Sequence, residues 1–264
     1  MLTLHIYRRL FVIVLFCQSW AYLSAAVEQE SVTYQVHWIN KTRVHVVTVD
    51  LNDRELLVTP VLANGTPGAR KSFTAFLAER QPLAQISGSY FSVKTAQPIG
   101  DMVIAGKMVY LGHAGSALTI KPDNTAAIVN IPYKKNISWK GYESVLQGGV
   151  RLVQNGKFAV YPKEQGFKDP GIFRKATRTA VGITDQNKLL LVAVNKEIFL
   201  SELAGILKAL GCRDAMSLDG GTSTGLAVGL DIIFTPGRML SNVLMVVRRP
   251  PPPTETTAAV DAGS

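Results

Sequence analysis

Between residues 43 and 248 the apolar positions fall into short runs rich in Val, Ile, Leu and Thr, separated by clusters of Gly, Pro, Asn and Asp. Runs of this length, bounded by turn-forming residues, predict β-strands joined by hairpins. Residues 43–50 and 55–61 read as one hairpin across a turn at 51–54. Further hairpins are expected at 102–110 about Gly106-Lys107, at 117–129 about Pro122-Asp123-Asn124, at 148–158 about Asn155-Gly156 and at 179–194 about Asp185-Gln186-Asn187. Residues 83–87, 215–218 and 243–248 supply further strands. Two stretches carry a helical period. In 72–80, Phe73, Phe76 and Leu77 share one face. In 200–210, Leu203, Ile206, Leu207 and Leu210 follow i, i+3, i+4, i+7 spacing, Ser201 can cap the start and Gly211 ends the helix. Many strands and few helices predict an α+β fold, a single domain with a largely antiparallel mixed sheet and a few covering helices.

The two ends follow other rules. Arg8 and Arg9 precede the short apolar run LFVIVLFCQSWAYL and then Ser24-Ala25-Ala26. That is the layout of a signal peptide over residues 1–26, and the run is short of the roughly 20 apolar residues a membrane-spanning helix needs. Arg249 and four prolines lead into TETTAAVDAGS, a Pro-rich disordered tail at 249–264. The folded domain is therefore expected at 27–248. Cys17 leaves with the signal, so Cys212 has no intrachain partner. An exported protein without a disulfide is expected to be secreted or periplasmic, with no stable membrane insertion after cleavage.

Composition changes this picture little. A 264-residue chain that is 47% hydrophobic is neither disordered nor a cysteine-stapled miniprotein. Its net charge of +9 raises nucleic acid as a partner, but the basic residues are spread along the chain and no recognition motif is present, so none is expected. The histidines and cysteine are too few and too widely spaced for a zinc ligand set, and no metal or cofactor is expected.

The most informative stretch is Leu218-Asp219-Gly220-Gly221-Thr222-Ser223-Thr224-Gly225. An apolar strand ends in a carboxylate, and glycines then let backbone approach a ligand while hydroxyls add donors and acceptors. Gly221-Thr222-Ser223-Thr224-Gly225 also matches the G-x-S-x-G nucleophile elbow, but no histidine follows Ser223 to complete that triad order. Asp219 is left as base, nucleophile or sugar-binding carboxylate.

Several blocks in order resemble the phosphodiester glycosidase family. They are Ile86-Ser87-Gly88-Ser89-Tyr90-Phe91, Pro98-Ile99-Gly100, Gln147-Gly148-Gly149, the run from Arg174 through Arg178-Thr179-Ala180-Val181-Gly182, the helix at 200–210, and Leu218-Asp219-Gly220-Gly221-Thr222-Ser223. Ser87 and Ser217 stand where the family usually has asparagine, and Thr222 where it has glycine. The resemblance implies an exported hydrolase that cleaves between a sugar anomeric carbon and a phosphodiester, with an anionic sugar-phosphate glycan as substrate. A phosphate leaving group is weakly basic, so cations and N–H donors can replace a general acid. On this reading Asp219, Arg178 and Asp101 are the catalytic candidates. Arg178 suits phosphate because guanidinium binds its oxygens bidentately. Ser87, Ser89, Tyr90, Arg174, Ser217, Gly220, Gly221, Thr222 and Ser223 are the substrate-binding candidates. The alternative is a non-catalytic module that binds carbohydrate or cell-wall phosphopolymer on the same scaffold.

Overall fold

The computed structural model describes residues 30–132 and 137–250, so the expected signal peptide and all of the tail beyond Pro250 lie outside the described residues. In chain order the strands are β1 (Val32–Ile39), β2 (Thr42–Asp50), β3 (Leu56–Leu62), β4 (Ala84–Ser87), β5 (Met102–Ile104), β6 (Lys107–Tyr110), β7 (Ser116–Ile120), β8 (Ala126–Val129), β9 (Ser144–Gly149), β10 (Arg151–Gln154), β11 (Lys157–Phe158), β12 (Ala176–Thr184), β13 (Lys188–Ile198), β14 (Cys212–Leu218), β15 (Leu226–Val228), β16 (Asp231–Phe234) and β17 (Asn242–Arg248). The helices are α1 (Phe73–Arg80) and α2 (Leu200–Ala209). They form three sheets, a seven-stranded one ordered β1-β2-β13-β12-β14-β10-β11, a five-stranded one ordered β16-β15-β4-β17-β3, and a five-stranded one ordered β6-β5-β9-β7-β8. All pairings between these strands are antiparallel.

This is a largely β architecture, and it corrects the expected α+β class and mixed sheet. The sheets mainly cover one another. Val49 and Leu191 of the first sheet, Val58 and Ile86 of the second, and Leu118 and Leu146 of the third meet in one core. The two helices only close outer faces. Leu203, Ile206 and Leu207 of α2 pack with Val46, Leu152 and Val192 on the far side of the first sheet. That sheet is thus buried on both faces, which explains the unbroken apolar run Leu189-Leu190-Leu191-Val192-Ala193-Val194. Phe73, Phe76 and Leu77 of α1 cover Val243 and Met245 of β17.

The expected hairpin between residues 43–50 and 55–61 does not form. β2 pairs with β1 and β13, whereas β3 pairs with β17 in another sheet. Between them the Asp50 carboxylate accepts from Asn52 N at 3.0 Å and the Asp53 carboxylate from Glu55 N at 2.8 Å, and these two Asx turns bend the chain through a corner. Val47 and Val49 then face Leu56 and Val58 across the core instead of pairing beside them. Pro60 fits β3 because β3 is an edge strand. The sequence reading also passed over β1 and β16, although Val32, Tyr34, Val36 and Trp38 alternate along β1.

Both expected helices form, with different starts. α2 begins one residue before Ser201, and its first turn is closed by the Glu202 carboxylate accepting from Phe199 N at 2.8 Å. In α1 the cap is Ser72, whose hydroxyl accepts from Ala75 N at 3.1 Å. Ser72→Ala is expected to cost about 1 kcal/mol, read as a lower urea midpoint at unchanged slope. Arg249, assigned above to the tail, is held to the domain by the Glu143 carboxylate and by donation from its own N to Glu55 O at 2.6 Å.

Candidate active site

A cleft of about 610 Å³ opens where the ends of β4, β12 and β14 meet the loop at 166–172 and the segment that joins β16 to β17. Asp219 follows the last residue of β14. Its backbone N donates to Gly88 O at 2.9 Å, and its carbonyl accepts from Thr179 Oγ1 at 2.8 Å. The turn after it lies flat against β12, because a Cβ on Gly220 would sit 2.6 Å from Thr177 O. Thr177 Oγ1 in turn donates to Gly221 O at 3.0 Å. The Gly-Gly-Thr-Ser loop is therefore tied to neighbouring backbone on both sides, and the carboxylate is held in a fixed place.

Burial pushes the Asp219 carboxyl up to about 7, helped by the Asp169 charge, while a hydrogen bond to the Ser223 side chain and the Arg238 charge work against the rise. Tyr90 stands beside it, with its hydroxyl 3.1 Å from Ser217 Oγ and its ring edge-on to Phe167 at 5.7 Å. Burial pushes this phenol up to about 12, so it remains protonated and serves as a hydrogen-bonding group, not as a base.

Arg178 is 3% exposed and no carboxylate pairs with it among the described residues. Its Nε donates to Ile198 O at 3.1 Å, and its Nη2 donates to Gly171 O at 3.4 Å and to Arg174 O. The guanidinium thus pins the 170–174 turn and the end of β13 to β12. Its Nε–Nη2 edge is spent on backbone, and the Tyr90 hydroxyl lies against the same guanidinium.

The structure brings together Tyr90, Arg178, Asp219, Gly220, Gly221, Thr222 and Ser223, all of which line the cleft. Five other sequence candidates lie outside its lining. Asp101 is buried just before β5 of the third sheet, where its carboxylate accepts from Gly112 N at 2.8 Å and from Trp139 Nε1 at 2.6 Å. Those two bonds engage both oxygens, so its observed work is to fix a loop. Ser87 Oγ donates to Ser223 O and accepts from Gly225 N at 2.8 Å. Ser89 N donates to Asn242 Oδ1 at 2.8 Å, and its hydroxyl is buried beside the same side chain. Ser217 Oγ accepts from Val150 N at 3.0 Å and supports Tyr90 from behind. Arg174 is exposed and engages the site only through its carbonyl.

Lys94, Lys168, Asp169 and Arg238 are not among the sequence candidates, and all four line the cleft. Asp169 carried a local signal, since Asp before Pro170 opens a turn, and its carboxylate accepts from Gly171 N at 2.7 Å. Among the described residues no group of three or more His, Cys, Asp or Glu side chains is placed to hold a metal ion, and no helix there is long and apolar enough to cross a membrane.

Comparison with known proteins bears on this site. The fold is similar to the zebrafish N-acetylglucosamine-1-phosphodiester alpha-N-acetylglucosaminidase catalytic domain auto-inhibited by its pro-peptide, at 20% identity and a TM-score of 0.66 over 83% of this chain and 82% of that one. It is also similar to an uncharacterised protein from Synechocystis, at 16% identity and a TM-score of 0.65 over 83% of this chain and 62% of that one. A third likeness is to a protein of Burkholderia pseudomallei K96243 thought to be exported, at 14% identity and a TM-score of 0.58 over 78% and 74% of the two chains. No curated protein matches the sequence. The family profile described as phosphodiester glycosidase matches residues 81–247, which span the cleft from Tyr90 to Arg238. With more than half of its length so matched, the chain belongs to the phosphodiester glycosidase family.

Proposed function

We propose that this protein is an exported hydrolase that breaks the bond between a sugar's anomeric carbon and a phosphodiester oxygen in an anionic glycan or glycoconjugate. The observation that carries the reading is a carboxyl group fixed in a cleft whose lining cations, Lys94, Lys168, Arg178 and Arg238, outnumber its carboxylates, Asp169 and Asp219. The similar zebrafish domain is named for action on such a linkage. Export is supported by the signal-like residues 1–26 and by the likeness to a protein thought to be exported.

The chemistry suits these groups. The bond from the anomeric carbon to oxygen breaks and its electron pair stays on the phosphate, which passes from a singly charged diester to a doubly charged monoester. The lining cations stabilise that added charge. Water's oxygen bonds to the carbon, and its proton passes to Asp219 acting as base. The Tyr90 hydroxyl lies near enough to Arg178 and Asp219 to feel both charges, and in the cleft it can bond to a sugar hydroxyl or a phosphate oxygen.

Wild-type protein should release free sugar from members of a panel of UDP-sugars and sugar-1-phosphodiesters. Failure on the whole panel would overturn the hydrolase; binding of phosphopolymer without release would mark a binding module instead. A base that titrates near neutrality makes kcat/KM rise about tenfold per pH unit up to about pH 7 and level off above it. Asp169→Asn keeps an acceptor for Gly171 N but removes a negative neighbour. The midpoint should therefore move to lower pH. An unmoved midpoint, or activity that falls through pH 7, would assign the titration elsewhere.

A further inference from the structure

The cleft's lining contains two arginines, and they are used differently. Arg178 spends Nε and Nη2 on three backbone carbonyls. Arg238 is exposed at the cleft, and only its Nη2 is engaged among the described residues, donating to Thr222 Oγ1 at 2.7 Å. Arg238 makes no ion pair with a carboxylate among the described residues. The segment that carries it is fastened to the glycine-rich loop a second time, because Gly237 N donates to Thr222 O at 2.8 Å. One threonine thus holds both the backbone and the guanidinium of this segment beside Asp219. A glycine at 222 would keep the carbonyl contact and lose the one to the guanidinium.

A sugar-1-phosphodiester places a further demand on the site. Its phosphorus and its anomeric carbon share one oxygen, so a carboxylate that works at the carbon and a cation that works at the phosphate must be neighbours. Arg238 meets that demand, since it lies close enough for its charge to act on the Asp219 carboxyl. With Nε and Nη1 uncommitted among the described residues it also keeps donors for phosphate oxygens, which a guanidinium binds better than a lysine does.

We infer that Arg238, aimed by Thr222, is the phosphate-gripping cation of this cleft, and that the pair makes the site select sugars carrying a phosphate-linked leaving group. The inference rests on the hydrolase reading for its kinetic test and stands apart from it for its binding test. Sugar release is measured from UDP-N-acetylglucosamine and from p-nitrophenyl α-N-acetylglucosaminide, which lacks phosphate, for wild type, Arg238→Gln, Thr222→Gly and Thr222→Ser. Loss of hydrogen bonds to a charged group predicts a fall of about 10- to 100-fold in kcat/KM on the UDP-sugar for Arg238→Gln. That fall should exceed the one on the aryl glycoside by about tenfold or more. Thr222→Gly should show the same bias at about three- to fivefold, as expected for losing one positioning bond, and Thr222→Ser, which keeps the hydroxyl, should restore it. Equal losses on both substrates, or a Thr222→Ser that behaves like Thr222→Gly, would overturn the inference. If wild type turns over neither substrate, calorimetric titration with UDP-N-acetylglucosamine still decides. Binding weakened about tenfold or more in Arg238→Gln supports the assignment, and unchanged binding refutes it. Thermal melts that match wild type exclude misfolding as the cause.

Discussion

Asparagine at position 219 should lower sugar release by about a thousandfold, and the same variant should melt higher than wild type at pH 8. The two effects have one cause. Wild-type Asp219 titrates near 7 in the folded protein, against 3.8 as its ordinary value, because burial disfavours its charge. Between those values the folded state holds a proton that the unfolded chain has released, so stability falls as pH rises from about 4 to about 7 and stays lowered above it. A neutral amide removes that penalty. The gain in melting temperature should therefore be a few degrees at pH 8 and smaller at pH 5, and sugar release should be lost at both. A variant that melts lower at pH 8, or that keeps a tenth of the activity, would contradict this account. A group held at a disadvantage for stability is what a working site requires.

Gly149→Ala should be the most damaging of the small substitutions. The added Cβ would lie 2.2 Å from Ser217 O and 3.1 Å from Met216 Sδ. The nearer atom is backbone, and it cannot yield alone. Ser217 N donates to Val150 O at 2.9 Å, and Val150 N donates to Ser217 Oγ at 3.0 Å, which locks the end of β9 to β14. Overpacking against backbone is expected to lower stability by about 3 kcal/mol, seen as a large drop in the denaturant midpoint. Activity should fall further than stability explains, because Ser217 supports the Tyr90 hydroxyl and Asp219 lies two residues on. Gly205→Ala is the contrasting case. Nothing lies within 4 Å of its Cβ position, and inside α2 the change should stabilise by up to about 1 kcal/mol. Similar effects at both positions would refute the steric argument.

What could be read in advance follows the range of the forces involved. Hairpins closed by Asn155-Gly156 or Asp185-Gln186-Asn187 are set by neighbours in sequence, and they form where expected. The separation of β2 from β3 is decided by burial against Val181, Leu191 and Leu244, which no local pattern at residues 51–55 encodes. The site divides the same way. Asp219 and its glycines announced themselves through composition and order. Asp101 is the second carboxylate the sequence offers, but Trp139, far along the chain, occupies its carboxylate. Arg238 follows the turn dipeptide Pro236-Gly237 in an exposed segment, a signal that marks a bend and no ligand, and only its contact with Thr222 gives it meaning. The serines at 87 and 217 are within reach of the site yet face backbone and Tyr90, a distinction of side-chain direction that a one-dimensional string does not carry.

The strand order β16-β15-β4-β17-β3 puts residues 242–248 in the middle of the second sheet, between two strands made much earlier in synthesis. Until β17 arrives, β4 and β3 have no neighbour to join them, and the common core lacks one wall. Folding therefore waits for nearly the whole domain to leave the ribosome, and it is governed by contacts between distant residues, which slows it. The sheet that helps to hold the cleft in place is therefore completed only when β17, near the end of the folded domain, takes its position.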